Sequence, residues 1–313
     1  MNNVPDVSEM KTFYINLKHD IKKNNKFIKN DVIKYKRFPA VYGKKYKDTK
    51  IFIDKISLLT QSKIYFNTRN VYEEINAIGA VGASLSHYYI WKSFLDEKID
   101  DEYLQLFNDE HDDMTEIKNI SFSKKNTIED EYLLIFEDDI YISDLNKFKS
   151  QIQEDINELM KSNIDWDIIL LTTSRVRDST NLNANTNTKF SPSLFNSILI
   201  NYNNCNHKYC EINMFWGMQG YIIKRSAIKK IIESKMFFPI ECHIEAFLGL
   251  LSQKKILKII STENKNIYHN EIESLLASNI SHNIPIVEYK NILLIIILIL
   301  IGVMIYLVRK VFI

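Results

Sequence analysis

The run Tyr132-Leu133-Leu134-Ile135-Phe136-Glu137-Asp138-Asp139 decides the fold class of this 313-residue chain. Five consecutive apolar residues, bounded on both sides by charge, have the length and pattern of a strand buried on both faces of a sheet. Three carboxylates follow directly. Open α/β sheets bind ligands at the carboxyl ends of their strands, so these acids stand where chemistry is done. Adjacent carboxylates repel one another, and a hard cation, Mn²⁺ or Mg²⁺, would relieve that repulsion and neutralise a bound diphosphate. In an extended chain Glu137 and Asp139 point one way and Asp138 the other, which makes the outer pair the candidate metal ligands. A solvated acidic turn closing a strand is the plain alternative.

Strand and helix patterns alternate on either side of this run. Residues 11–17 (KTFYINL) read as a strand and 18–36 as a helix-compatible stretch; 38–41 and 63–66 read as short strands, and 83–95 as a helix. The polar, charged stretch 108–131 reads as a solvated loop. Beyond the central strand, 145–161 is an amphipathic helix, 166–171 a buried strand, and 174–213 a long loop rich in Asn, Ser and Thr. A Gly-containing strand over 216–223, a helix over 224–234 and a strand over 255–260 complete the pattern. The alternation predicts one α/β domain over 1–285 with a central, mostly parallel sheet, the two loops being insertions.

Composition excludes several classes. With 46% hydrophobic residues the chain can bury a large core, and 40 Lys plus Arg against 39 Asp plus Glu leave a net charge of +1, no footprint for nucleic acid. Cys205, Cys210 and Cys242 have no C-x-x-C spacing and suit a reducing compartment. The N-terminal residues lack a signal-peptide pattern, which places the catalytic domain on the cytosolic side as an expectation. From Ile292 to Val308 no residue is charged, the minimum length for a transmembrane helix. Residues 286–291 then form a linker and 309–313 a short tail, the arrangement of a single-pass, tail-anchored membrane protein. The Lys, Asn and Ile bias fits an AT-rich genome, such as that of a large DNA virus or a parasite.

Two further groups are candidates for chemistry. His87 follows Gly79 and Gly82 near the start of the predicted helix, where a helix N-terminus can hold phosphate or a ribose hydroxyl. A histidine that satisfies its own helix is the alternative. Glu241, His243 and Glu245, in the PIECHIE segment after Pro239, include candidates for a general base that deprotonates an acceptor hydroxyl. They read equally as acidic residues stabilising a helix N-terminus.

Several blocks occur in a telling order: Phe13-Tyr14-Ile15-Asn16-Leu17, Arg37 to Gly43, Gly79 to Trp91 with Ser86-His87, the acidic triplet, Trp166-Asp167, Trp216 to Ile223, and Pro239-Ile240-Glu241. Together they resemble glycosyltransferase family 25, the lipooligosaccharide and procollagen galactosyltransferase family, over most of residues 11–250. The resemblance implies a GT-A-like nucleotide-sugar-binding fold. It further implies that Asn16, Leu17, Gly82, Ser86, His87 and Asp138 contact the nucleotide sugar, and that Glu137 and Asp139 bind Mn²⁺ or Mg²⁺. Glu241, or after it Glu245, would be the catalytic base. The implied donor is UDP-galactose or UDP-glucose, and the acceptor a hydroxyl of a glycan or a collagen-like protein. Lys18-His19-Asp20, Met218-Gln219 and Glu241 depart from the family pattern. A membrane-tethered protein that binds nucleotide sugar without turnover is therefore the alternative reading.

Overall fold

The computed structural model describes residues 5–18, 35–68, 74–108, 111–122, 131–138, 140–142, 145–171, 201–203, 209–215, 217–262 and 267–269. The chain divides into two compact units, 1–280 and 281–313. The expected transmembrane run 292–308 falls in the second, outside the described residues; among those described, no helix is long and apolar enough to cross a membrane.

The apolar runs form the strands they predict. β1 (Lys11–Asn16) and β3 (Tyr132–Glu137) pair in parallel, Ile15 opposite Glu137, and β2 (Tyr35–Pro39) flanks β1, also in parallel. Next along the chain come α1 (Gly43–Tyr46), α2 (Lys50–Ile53), α3 (Leu58–Phe66), α4 (Ile78–Leu95), α5 (Asp101–Leu106) and α6 (His111–Lys118). After β3 follow β4 (Ile140–Ile142), α7 (Leu145–Lys161), β5 (Ile168–Leu170), β6 (Asn201–Asn203), β7 (Tyr209–Met214) and β8 (Gly220–Lys224). The described elements end with α8 (Arg225–Glu233), α9 (Ile244–Gln253), β9 (Ile259–Thr262) and β10 (Ile267–His269).

The main sheet runs β2-β1-β3-β8-β5-β9-β7-β6. It is mixed rather than mostly parallel: β8 lies antiparallel to both β3 and β5, and β7 pairs antiparallel with β6 and β9. Alternating side chains divide the core in two. Phe13, Ile15, Leu133, Ile135 and Tyr221 face the layer of α4, whereas Tyr14, Leu134, Phe136 and Ile222 face α7, whose Phe148, Ile152, Ile156 and Leu159 recur at helical spacing.

Helix α4 lies in the centre of the first layer and is buried on nearly every side, so its sequence shows little polar stripe. Gly82 explains how it docks. A Cβ there would lie 2.3 Å from the Val41 carbonyl oxygen, and one on Gly43 would lie 2.2 Å from that of Ile78. Backbone therefore meets backbone at this crossing, and only glycine permits it. Ser86 fastens the same contact: its hydroxyl accepts from Val41 N–H at 2.8 Å and donates to the Gly82 carbonyl at 2.8 Å.

Some local expectations are corrected. Residues 63–66 form the last turn of α3 rather than a strand, because Ser57 caps that helix by accepting from Thr60 N–H. Tyr35 and Lys36 belong to β2 rather than to a helix-compatible stretch. The 108–131 segment contains α6, whose Asp113 and Glu116 pair with Arg37, and the far end of 174–213 contributes β6 and β7.

Candidate active site

The carboxyl ends of β1 and β3 lie side by side, and their last residues divide between the two faces of the sheet as strand alternation requires. On one face Asn16 donates from Nδ2 to Asp138 Oδ2 at 3.0 Å. On the other, Glu137 Oε1 lies 3.0 Å from His87 Nε2. Asp139, the second expected metal ligand, falls outside the described residues.

Asn16 is held from behind. Its carbonyl accepts from Arg37 Nη2 at 3.1 Å and from Ala40 N–H at 2.9 Å, while Arg37, itself buried, bonds Asp113 at 2.8 Å and also pairs with Glu116. Asn16 is wholly buried, and its Oδ1 has no hydrogen-bond partner among the described residues. A buried amide oxygen left unmatched costs free energy and calls for a donor.

His87 is not at a helix start. It lies in the middle of α4, so the expectation of a helix N-terminus holding phosphate is withdrawn: Gly79 and Gly82 belong to the helix and mark a close packing contact, not a turn. What His87 does instead follows from its neighbours. Trp91 Nε1 can only donate, and it donates to the Tyr221 hydroxyl at 3.0 Å. The Tyr221 proton then points to His87 Nδ1, 2.8 Å away, and the imidazole carries its own proton on Nε2, donated to Glu137. Burial keeps the ring neutral, lowering its pKa to about 4 against the opposing pull of the Glu245 charge. The same burial raises the Tyr221 pKa well above its ordinary value, with the Trp91 hydrogen bond opposing. The relay Trp91 to Tyr221 to His87 to Glu137 thus fixes one tautomer and one carboxylate orientation.

Removing the middle of this relay tests it. Tyr221→Phe leaves the Trp91 N–H and His87 Nδ1 buried without partners, and is expected to cost about 1–3 kcal/mol of stability. Turnover should fall roughly 10–100-fold as Glu137 loses its fixed orientation. Denaturant unfolding and steady-state rates measure the two effects separately.

Of the two base candidates, Glu241 is exposed and precedes α9, whereas Glu245 occupies its first turn and is partly buried. Burial first, and the negative charge of Glu137 second, raise the Glu245 pKa to about 7, while hydrogen bonds from its own N–H and that of Gly217 oppose the shift. Gly217 has φ of 93°, a conformation that favours glycine, and so can present its N–H to the carboxylate. His243 occupies the N-cap position of α9, without a side-chain capping bond, and is buried. Leu17 is half-buried just beyond Asn16, and Gly82 and Ser86 serve the docking of α4 described above.

Glu137, Asp138, Tyr221 and Gly217 share one stretch of the chain. Residues 121–244 match glycosyltransferase family 25. The matching family model is described as Glycosyltransferase family 25 (LPS biosynthesis protein). A search of curated proteins gives no match. The family 25 match includes Glu241, stops one residue before Glu245, and leaves Asn16 and His87 outside. The structure brings those last two to the matched acids. The match supports glycosyltransferase chemistry with donor and acceptor substrates.

Among the described residues no cluster of three or more His, Cys, Asp and Glu has the makings of a metal site. Of the two expected ligands only Glu137 is described, and its carboxylate oxygens are hard donors. Glu137 and Asp138 follow one another at the end of β3 and find partners on opposite faces, and the Glu137 charge is felt strongly enough at Glu245 to help raise the pKa of that acid. A divalent cation beside Glu137 would offset this charge.

Proposed function

We propose that this protein is a metal-dependent glycosyltransferase of GT-A-like fold that transfers a hexose, galactose or glucose, from a UDP-sugar to a hydroxyl of a glycan or protein acceptor. One observation carries the reading: Asn16 with Asp138, and His87 with Glu137, converge at the ends of two parallel strands, and Glu245 lies within electrostatic reach of Glu137. That is the switch-like edge of a sheet at which nucleotides are held.

In this reading Asp138 and the unmatched Asn16 Oδ1 accept hydrogen bonds from the hydroxyls of the nucleotide sugar. Glu137, with Asp139, would hold Mn²⁺ or Mg²⁺, which when bound supplies Lewis-acid neutralisation of the diphosphate. Glu245, rather than Glu241, is assigned as base because it is the carboxylate drawn into the site. It takes the proton of the acceptor hydroxyl as the acceptor oxygen bonds the anomeric carbon, and the bond from that carbon to the diphosphate breaks, its electron pair leaving with UDP. A base whose pKa lies near neutrality exists in both forms at working pH, the condition for efficient proton transfer. The C-terminal run 292–308 is assigned the role of membrane tether, with the catalytic domain on the cytosolic side.

The test is to incubate the full chain with UDP-galactose, UDP-glucose and other UDP-sugars, with Mn²⁺ or with chelator. UDP release that needs the metal, and selects among donors, is expected. Tight UDP binding without release under any condition would instead establish a nucleotide-sugar-binding protein without turnover.

A further inference from the structure

Helix α3 is built inside out. Its buried side carries Thr60, 1% exposed, and Lys63, 9% exposed, while Leu58, Leu59, Tyr65 and Phe66 stand 83%, 61%, 83% and 67% exposed. At 100° per residue these four fall within one arc of about 120°, so they form a single apolar stripe along the helix. Ile53, 40% exposed, lies at the end of α2, where its carbonyl accepts from Gln61 Nε2 of α3 at 3.4 Å and so joins the two helices. The inversion is held in place rather than accidental. Lys63 pairs with Glu74, Ser57 caps the helix, and Ile240 N–H donates to the Lys55 carbonyl at 2.7 Å.

The stripe belongs to a basic segment of the chain. Residues 43–66 contain six lysines (44, 45, 47, 50, 55 and 63) and two aspartates (48 and 54), a net of 6 − 2 = +4; the whole chain carries +1, so the remainder is at 1 − 4 = −3. Lys55 and Lys63 pair with Glu102 and Glu74; Lys44, Lys45, Lys47 and Lys50 are exposed, Lys45 lying over the Tyr46 ring. Protein interfaces are depleted in lysine, and a second copy would set one +4 segment against another. Leucine and aromatic side chains on one helix face, in a segment rich in exposed lysines, match an anionic lipid surface instead.

We propose that the α2–α3 face is a membrane-surface docking site, with Leu58, Leu59, Tyr65 and Phe66 entering the headgroup region of an anionic bilayer and the neighbouring lysines meeting lipid phosphates and carboxylates. The site is independent of the glycosyltransferase reading and of the 292–308 run. Because Ile240 is bonded to the segment between α2 and α3, the docked face lies on the same backbone that leads, five residues later, to Glu245.

A tryptophan reporter tests this in the full chain. Phe66→Trp protein is mixed with vesicles of brominated lipid, either neutral or containing about a third anionic lipid, and its emission is compared with that of the parent, whose Trp91 and Trp166 are buried. We expect about twofold more quenching of the reporter on anionic than on neutral vesicles, reversed by salt and by Lys→Gln changes at 44, 45, 47 and 50. Equal emission on both vesicle types would overturn the proposal, because insertion of the C-terminal run alone would not distinguish headgroups at position 66. A reporter already shielded without vesicles would also overturn it: concentration-dependent shielding would mean a second copy, and concentration-independent shielding the chain's own segment. Circular dichroism of each variant excludes loss of the helix as the cause.

Discussion

Glu245→Gln is expected to lower turnover by roughly 10²–10⁴-fold, the range seen when a general base is removed, with little effect on donor affinity. The side chain keeps its size and its hydrogen bond from Gly217 N–H, so the fold should persist. Glu241→Gln, at an exposed position, should change the rate far less. The pH profile separates a base from a packing residue. Only ionised Glu245 can accept a proton, and its pKa is raised to about 7 without metal, so kcat/KM should climb with pH, along a limb that lies lower once a cation offsets the Glu137 charge. In Glu245→Gln that limb should vanish from the residual activity. An unchanged profile would place the base elsewhere.

The second large effect is expected at Glu137. Replacing it by Gln should reduce metal-dependent turnover roughly 10³-fold, since a cation stabilises several kcal/mol of developing charge on the leaving diphosphate. The same change carries a readout that needs no donor and no metal. The negative charge of Glu137 is one cause of the raised Glu245 pKa, so Glu137→Gln should move that pKa downward, which carboxyl-carbon NMR titration would follow. If the rate fell but the Glu245 titration stayed near 7, the electrostatic coupling between the two acids would be wrong even though Glu137 mattered.

The parts legible in the sequence were those where one signal dominated. β1 and β3 announced themselves as apolar runs, α7 as a periodic stripe, and the acids at the end of β3 by position. Alternation also separated Glu137 from Asp138, which indeed find partners on opposite faces. Elsewhere tertiary packing overrode local pattern. Helix α3 hid because its apolar residues other than Ile64 face outward, so their order carried no core stripe. The position of His87 was misjudged because Gly79 and Gly82 look like turn residues, whereas Gly82 is needed for backbone contact with Val41 across a helix crossing. Segment 108–131 looked like a loop because the acids of α6 serve Arg37, a partner some 75 residues earlier. The relay through Tyr221 had no local signature at all: its members lie at 87, 91, 137 and 221, and only the sheet brings them together.

The most direct test of the whole account is anomalous diffraction from crystals grown with Mn²⁺ and UDP. It predicts a manganese peak in contact with Glu137, bridging to the diphosphate, with the ribose against Asn16 and Asp138. A manganese and nucleotide pair bound away from the ends of β1 and β3 would contradict it.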